Sequence, residues 1–277
     1  MHCSSICARR NCTSNSVNVG VLDNSFVLRT LILKDFKIRY RNMSLGVFWS
    51  VLNPLIMMAV LTFVFTRLNK APIVPGLNPD DFPLFFLCGL IPFNFLSVTW
   101  STGTNCVVDN AVLLKRTLMP REAVPVASVL AAGLHLLIQI GLLIVIALWN
   151  GHWPTLLWLW IPVLWTITLV FVIGLVLACS ALDVFIRDMR YLVDSSVGLL
   201  FWFMPIFYSS NIVAARHKPW WELNPFTVLI LSQRKVLIES VQPDMQLLGK
   251  MCIVSLVTLV IGWIVFRWLE PKFYDQL

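Results

Sequence analysis

Apolar positions in this chain fall into long blocks separated by short polar breaks. A helix needs about 20 mostly apolar residues to cross a bilayer. Blocks at 47–65, 82–106, 123–149, 155–182 and 247–269 meet or approach that length. A further block, 195–208, is shorter, even with 191–193 added. The pattern predicts an all-α integral membrane protein with six transmembrane helices. Asn53-Pro54 predicts a bend in the first span, and Gly89 with Pro92 an irregular first half of the second. Between spans five and six, 226–238 is apolar but carries Gln233, Arg234 and Lys235. It is short for a span and fits a re-entrant, interfacial or gate helix.

Ahead of the first span, residues 21–43 mix Leu22, Phe26, Leu31, Leu33, Phe36 and Ile38 with Lys34, Lys37, Arg39 and Arg41. An amphipathic helix of that kind lies in the headgroup plane, its cations on lipid phosphate. A plain juxtamembrane basic cluster also accounts for the charges, but not for the long apolar lead-in. Ser44-Leu45-Gly46 ends the pattern, and the transmembrane domain occupies 44–277. Residues 1–20 form a polar tail. Arg9 and Arg10 are followed by Asn, Thr and Ser, not by the apolar core of a signal peptide, so the tail reads as disordered.

Composition agrees. The 277 residues are 58% hydrophobic and 13% charged, against about 25% charged in soluble domains, and the mean hydropathy is +0.80. The net charge of +7 comes from basic residues that flank the apolar blocks. Such residues set topology, so the charge does not call for a nucleic acid. Fourteen of the 21 Lys and Arg fall on the side that holds 109–122 and 183–194. That side is expected to be cytoplasmic, with both termini on it. Were 226–238 to cross, the C-terminus would move outside. Cys88, Cys106, Cys179 and Cys252 sit in or beside apolar blocks and act as small hydrophobes. Cys3, Cys7 and Cys12, with His2, match no zinc spacing. Neither metal nor cofactor is expected.

No phosphate-binding loop is present: Gly249-Lys250 lacks an upstream glycine and is followed by Met251. H-E-x-x-H and G-x-S-x-G are missing as well. If the chain does energy-driven work, the energy comes from a partner or an ion gradient. The six blocks hold no Asp or Glu at their centres, which weighs against an ion-driven carrier. His135 and Gln139 share one face of span three, as a pathway lining or as interhelical glue, the commoner use. In 109–122, the stretch 111–118 predicts a short helix stopped by Pro120, either a mechanical contact or a plain connector. Aromatic residues crowd the ends of spans two and five. They suit stacking on sugar rings, and equally a lipid-facing or core role.

Several strings resemble one family: Arg39-Tyr40-Arg41 with Leu45-Gly46, Trp49 and Leu52-Asn53-Pro54; Gly89-Leu90-Ile91-Pro92; Leu114-Lys115-Arg116 with Pro120-Arg121-Glu122; Arg187-Asp188; and Asn224-Pro225 with Arg234. Over about 22–270 the chain is similar to ABC-2 type permeases that export polysaccharides: O-antigen, capsule and teichoic acid transporters. The resemblance implies a homodimer, two separate ATP-binding subunits and a lipid-linked polysaccharide such as O-antigen on a polyprenyl diphosphate. The chain itself would not be an enzyme. It further implies that Lys37, Arg39 and Arg41 lie near lipid phosphate. Asp109, Leu114, Lys115, Arg116, Pro120, Arg121 and Glu122 would couple to the ATPase. Trp220, Trp221, Asn224, Pro225 and Arg234 would belong to an outer gate. Phe93, Phe95, Trp100, Phe201, Phe207 and Tyr208 would line a channel. Rival readings keep the fold with a drug or lipid as cargo, or make the chain a glycan-modifying enzyme using His152 or His217.

Overall fold

Proline placement and close glycine contacts decide how the apolar blocks become helices and how near they pack. A computed structural model describes residues 24–40, 48–68, 79–116, 119–209, 213–214 and 216–276. The tail 1–20, Arg41, the 44–47 break and the loop 69–78 lie outside the described residues. The helices are α1 (Asn24–Tyr40), α2 (Trp49–Thr62, continued by a π turn), α3 (Phe82–Asp109), α4 (Ala111–Arg116), α5 (Ala123–Trp149), α6 (Trp160–Asp183, entered by a 3₁₀ turn), α7 (Met189–Phe203), α8 (Lys218–Trp221), α9 (Pro225–Leu237), α10 (Met245–Leu269) and α11 (Phe273–Gln276). No strand occurs among the described residues.

Four stretches are long and apolar enough to cross a membrane: Phe82–Asp109, Ala123–Trp149, Leu156–Asp183 and Met245–Lys272. The expected first span is a shorter apolar helix, Trp49–Phe65. The expected fifth starts earlier, at Met189, and is only 15 residues long. It stops at Phe203, not Tyr208, because Pro205 holds Met204 in an extended conformation with ψ near 140°. In α3 the predicted irregularity is absent. The helix runs unbroken through Gly89 and Pro92 because Leu84 to Pro92 are buried, and packing holds what the proline weakens. The short apolar segment of 226–238 is a helix of 13 residues, as its length predicted.

Helices α6 and α10 make the closest pairing. A Cβ on Gly262 would sit 2.0 Å from the Gly174 carbonyl oxygen, and one on Gly174 would sit 2.5 Å from the Leu259 backbone. Two backbones approach this closely only where side chains are missing. Phe185, just past α6, packs against Phe273, just past α10, at 6.1 Å between rings. The two helices therefore run parallel, and α7 with the segment to Ser209 carries the chain back to the opposite end. There Glu222 pairs with Lys250 at 3.2 Å, beside the start of α10.

The bundle thus has two distinct ends. At the basic end lie α1, α4 and the α6–α7 turn, joined by the end of α10. Leu31 of α1 is buried there with Leu114, Ala123, Val184 and Phe273. At the aromatic end lie the starts of α3 and α6 with α8 and α9, over the main core. Helix α2 reaches from the middle of α5, where the Gln139 amide donates to the Ser50 carbonyl at 3.3 Å, to the aromatic end, where Phe65 meets Phe82 at 5.8 Å. Gln139 thus joins two helices, in line with the glue reading. Trp165, near the start of α6, is buried and packs edge-on against Phe95 at 5.8 Å.

Candidate functional site

At the aromatic end the chain builds a clamp around one cation. Helix α9 starts at Asn224, whose side chain accepts from the Phe226 amide at 3.0 Å, with Pro225 in the first turn. Both are favoured helix-start residues. Nearly every face of α9 is buried. Arg234 is 5% exposed. Its Nε and Nη2 donate to the Phe85 carbonyl at 3.2 and 3.1 Å. Nη2 also donates to the Ile206 carbonyl at 2.7 Å, and Nη1 to the Tyr208 carbonyl at 3.4 Å. The guanidinium carbon lies 3.4 Å over the Phe85 ring. Taking a charge out of water costs several kcal/mol, order of magnitude. Here three carbonyls and an aromatic face offset that cost. Gly89 makes the clamp possible, since a Cβ there would lie 2.7 Å from the Ile206 Cα.

The same turn gathers an aromatic cluster. Phe93 meets Phe201 at 5.0 Å, Phe201 meets Phe207 at 5.9 Å, and Phe207 meets Tyr208 at 5.8 Å. Tyr208 lies 6.5 Å from Trp221. The Tyr208 hydroxyl and the Trp221 indole both donate to the Phe203 carbonyl at 2.9 Å, one of the acceptors left at the end of α7. Four of the six expected channel aromatics come together here. The other two do not join them. Phe95 is buried in the core against Trp165, and the Trp100 indole is turned onto the Cys179 sulfur at 3.2 Å. Trp220 stands free at the surface, 77% exposed.

Running from this cluster toward the basic end is a polar stripe that the sequence reading missed. On α3, Asn94, Ser97, Ser101, Asn105 and Asp109 recur every three or four residues, so they share one side of the helix. All are partly or fully exposed, as is Thr102. Ser101 donates to Asp194 at 2.7 Å. Asp194, assigned by sequence to a loop, lies in the second turn of α7, and α7 exposes Asp194, Ser195 and Gly198 on that side. Ser101 is eight residues before the end of α3, about 12 Å along its axis at 1.5 Å per residue. An acidic side chain therefore sits well inside the bundle after all. The signal was the spacing along α3, hidden because the apolar residues between the polar ones make the block read as a plain span.

At the basic end the predicted coupling residues divide. Asp109 and Lys115 are exposed, while Leu114 is buried. Asn110 breaks α3 from α4: its amide donates to the Cys106 carbonyl at 2.8 Å, and its oxygen accepts from Lys34 of α1. Pro120 is half-buried. Arg121 donates to the Glu270 carbonyl at 2.7 Å, and Glu122 pairs with Arg267 at 3.1 Å. Lys37 is exposed beside exposed Ile38. The side chains of Arg39 and Arg116 lie outside the described residues. Among the described residues no group of three or more His, Cys, Asp or Glu has metal-binding geometry. His152 is held by Asp81 at 2.9 Å, joining the α5–α6 turn to the start of α3.

The chain has relatives along most of its length. The chain is 28% identical over 261 residues to the O-antigen export system permease protein RfbA of Klebsiella pneumoniae, covering 94% of this chain and 97% of that protein. It is 27% identical over 253 residues to the RfbA protein of Myxococcus xanthus, covering 91% and 95%. The polysialic acid transport protein KpsM of Escherichia coli is 22% identical over 252 residues, covering 87% and 92%. Residues 27–238 match the model of the ABC-2 type transporter family, and the chain belongs to that family.

Proposed function

We propose that this chain is the permease subunit of a transporter that exports a lipid-linked polysaccharide such as O-antigen across the inner membrane, driven by ATP hydrolysis on a separate subunit. The polar stripe of α3 and α7 carries the reading. Amides, hydroxyls and a carboxylate on membrane helices need water or a polar cargo beside them, and one copy of the chain leaves them uncovered. A second copy facing the first closes this side into a conduit. Its walls offer hydrogen bonds to sugar hydroxyls, and the aromatic cluster at its end offers faces to sugar rings. The names of the relatives support the cargo class: O-antigen in two cases and polysialic acid in the third.

The chain has no phosphate-binding loop of its own, so each protomer of the homodimer engages an ATP-binding subunit at the basic end. That end is cytoplasmic on this reading, and α2 and α7 complete six crossings with both termini inside. Helix α1 rests on the inner leaflet, its exposed Leu33 and Ile38 in the acyl boundary. Lys37, with Arg39 and Arg41 of the same segment, attracts lipid phosphate, including the diphosphate of a polyprenyl carrier. Residues 109–122 receive the push from the ATPase. Trp220, Trp221, Asn224, Pro225 and Arg234 form the outer gate.

Deleting the gene and locating the lipid-linked glycan tests the reading. Polymer should accumulate on the cytoplasmic face and disappear from the surface, and the wild-type gene should reverse both. Unchanged surface glycan would overturn the polysaccharide cargo and favour a drug or lipid. Polymer that is never made or never modified would point to an enzyme.

A further inference from the structure

The family match stops at residue 238, yet the last turns of the chain reach back into the basic-end core. Phe273 is 0% exposed. Its ring lies 5.6 Å from Phe266 and 6.1 Å from Phe185. Arg121 donates to the Glu270 carbonyl at 2.7 Å, and its guanidinium stands 6.0 Å over the Phe273 ring. Arg267 reaches both Glu122, at 3.1 Å, and Glu270, at 3.3 Å. One short segment therefore touches the end of the 109–122 loop, through Arg121 and Glu122, and the α6–α7 turn, through Phe185.

Two residues expected to meet a partner are thus occupied inside the chain. The other end of the same loop is fixed as well, by Asn110 with Lys34 and the Cys106 carbonyl. Between these fixed ends Leu114 is buried in the same core, while Val112 and Lys115 point outward. On the neighbouring turn Ile186, Arg187 and Asp188 are exposed. The loop is held at both ends and presents a small apolar and charged face between them.

We infer that residues 267–276 are a brace: they position the 109–122 loop against the α6–α7 turn, so that a partner meets the two as one rigid surface. Displacement of the Lys115 face then passes into α5 through Arg121 and Glu122, and into α10 through Arg267. Without the brace, α4 moves without the spans. The identity of the partner, an ATP-binding subunit, rests on the function proposed above, so the test includes a readout that does not need it.

Three variants are compared with wild type in floated membrane vesicles whose cytoplasmic face is open: a chain ended after Leu269, Phe273→Ala, and Phe273→Leu. The first readout is the rate of trypsin cleavage after Lys115, measured by fragment mass on the chain alone. The second is glycan exported per ATP hydrolysed, with the ATP-binding subunit co-expressed. The truncated chain and Phe273→Ala should be cleaved at least tenfold faster. ATP hydrolysis should persist while export per ATP falls at least fivefold, and Phe273→Leu should stay within about threefold of wild type in both readouts. An unchanged cleavage rate overturns the brace. Faster cleavage with unchanged export per ATP overturns its role in transmission. If the wild-type chain binds no ATP-binding subunit and exports no glycan, the proposed function fails, and the cleavage rates alone still decide whether the brace exists.

Discussion

The two ends of the bundle are held by opposite means. At the aromatic end one buried guanidinium supplies the donors for carbonyls of three residues, on α3 and on the segment after α7. At the basic end an apolar plug, Phe273, fills the core, and the charges sit on its rim with Arg267 half in water. A buried acceptor that loses its donor has nowhere else to turn, whereas an exposed ion that loses its partner is hydrated again. The first end is therefore brittle toward a single change, and the second depends on shape more than on charge.

Substitutions at four positions test this contrast. The largest effect is expected for Arg234→Met, which strands the buried Ile206 carbonyl, takes a donor from the half-buried Tyr208 carbonyl and removes the cation from the Phe85 ring. An unmet buried acceptor costs about 1–3 kcal/mol, so a loss of about 3 kcal/mol or more is expected in thermal or denaturant unfolding of the detergent-solubilised protein. Arg234→Lys should recover little, because an ammonium cannot reproduce the guanidinium fork. A loss below about 1 kcal/mol would falsify the clamp. Next comes Phe273→Ala, at about 3 kcal/mol, the lower end of the cost of emptying a packed aromatic site. If it costs no more than the rim charges do, the basic end is not organised around an apolar plug. Arg267→Gln should cost only about 0.2–1 kcal/mol, as exposed pairs do, and less still in high salt. A salt-independent loss above 2 kcal/mol, order of magnitude, would show that the rim is electrostatically critical and erase the contrast. The smallest effect is expected next to the clamp. Gln233 is buried, and neither its amide oxygen nor its nitrogen has a partner among the described residues. Replacing it by Met should be neutral or stabilising by up to about 1 kcal/mol. Clear destabilisation would mean that the amide has an unseen partner, such as buried water.

Much of the fold was legible along the chain because bilayer thickness imposes a length and apolar composition imposes a boundary. Spans such as α5 needed only those two rules. Proline 205 was visible as well, but the extended turn it forces, which ends α7 five residues early, required knowing what waits to receive the freed carbonyls. Arg234 was picked out as part of a gate. Its role as a donor to Phe85, Ile206 and Tyr208 was not legible, since those acceptors are backbone atoms and backbone carbonyls look alike in every sequence. Phe95 and Phe93 lie two residues apart on one helix and face different ways, so aromatic content alone could not say which of them meets Phe201. Asp194 ends the charged stretch 183–194, and only the helical run of α7 carries it inward to Ser101.

By itself the sequence determined that the chain is a bundle of membrane helices, where its basic end is, and that it carries no phosphate-binding loop. These follow from local quantities: length, hydropathy, charge and the reach of proline. Only the tertiary structure decided which helices touch through Gly174 and Gly262, which carbonyls the buried cation satisfies, and that the last turns of the chain hold a loop about 150 residues away. Those outcomes depend on non-bonded approach within a few ångströms between residues far apart in the chain, a distance that no periodicity along the chain encodes.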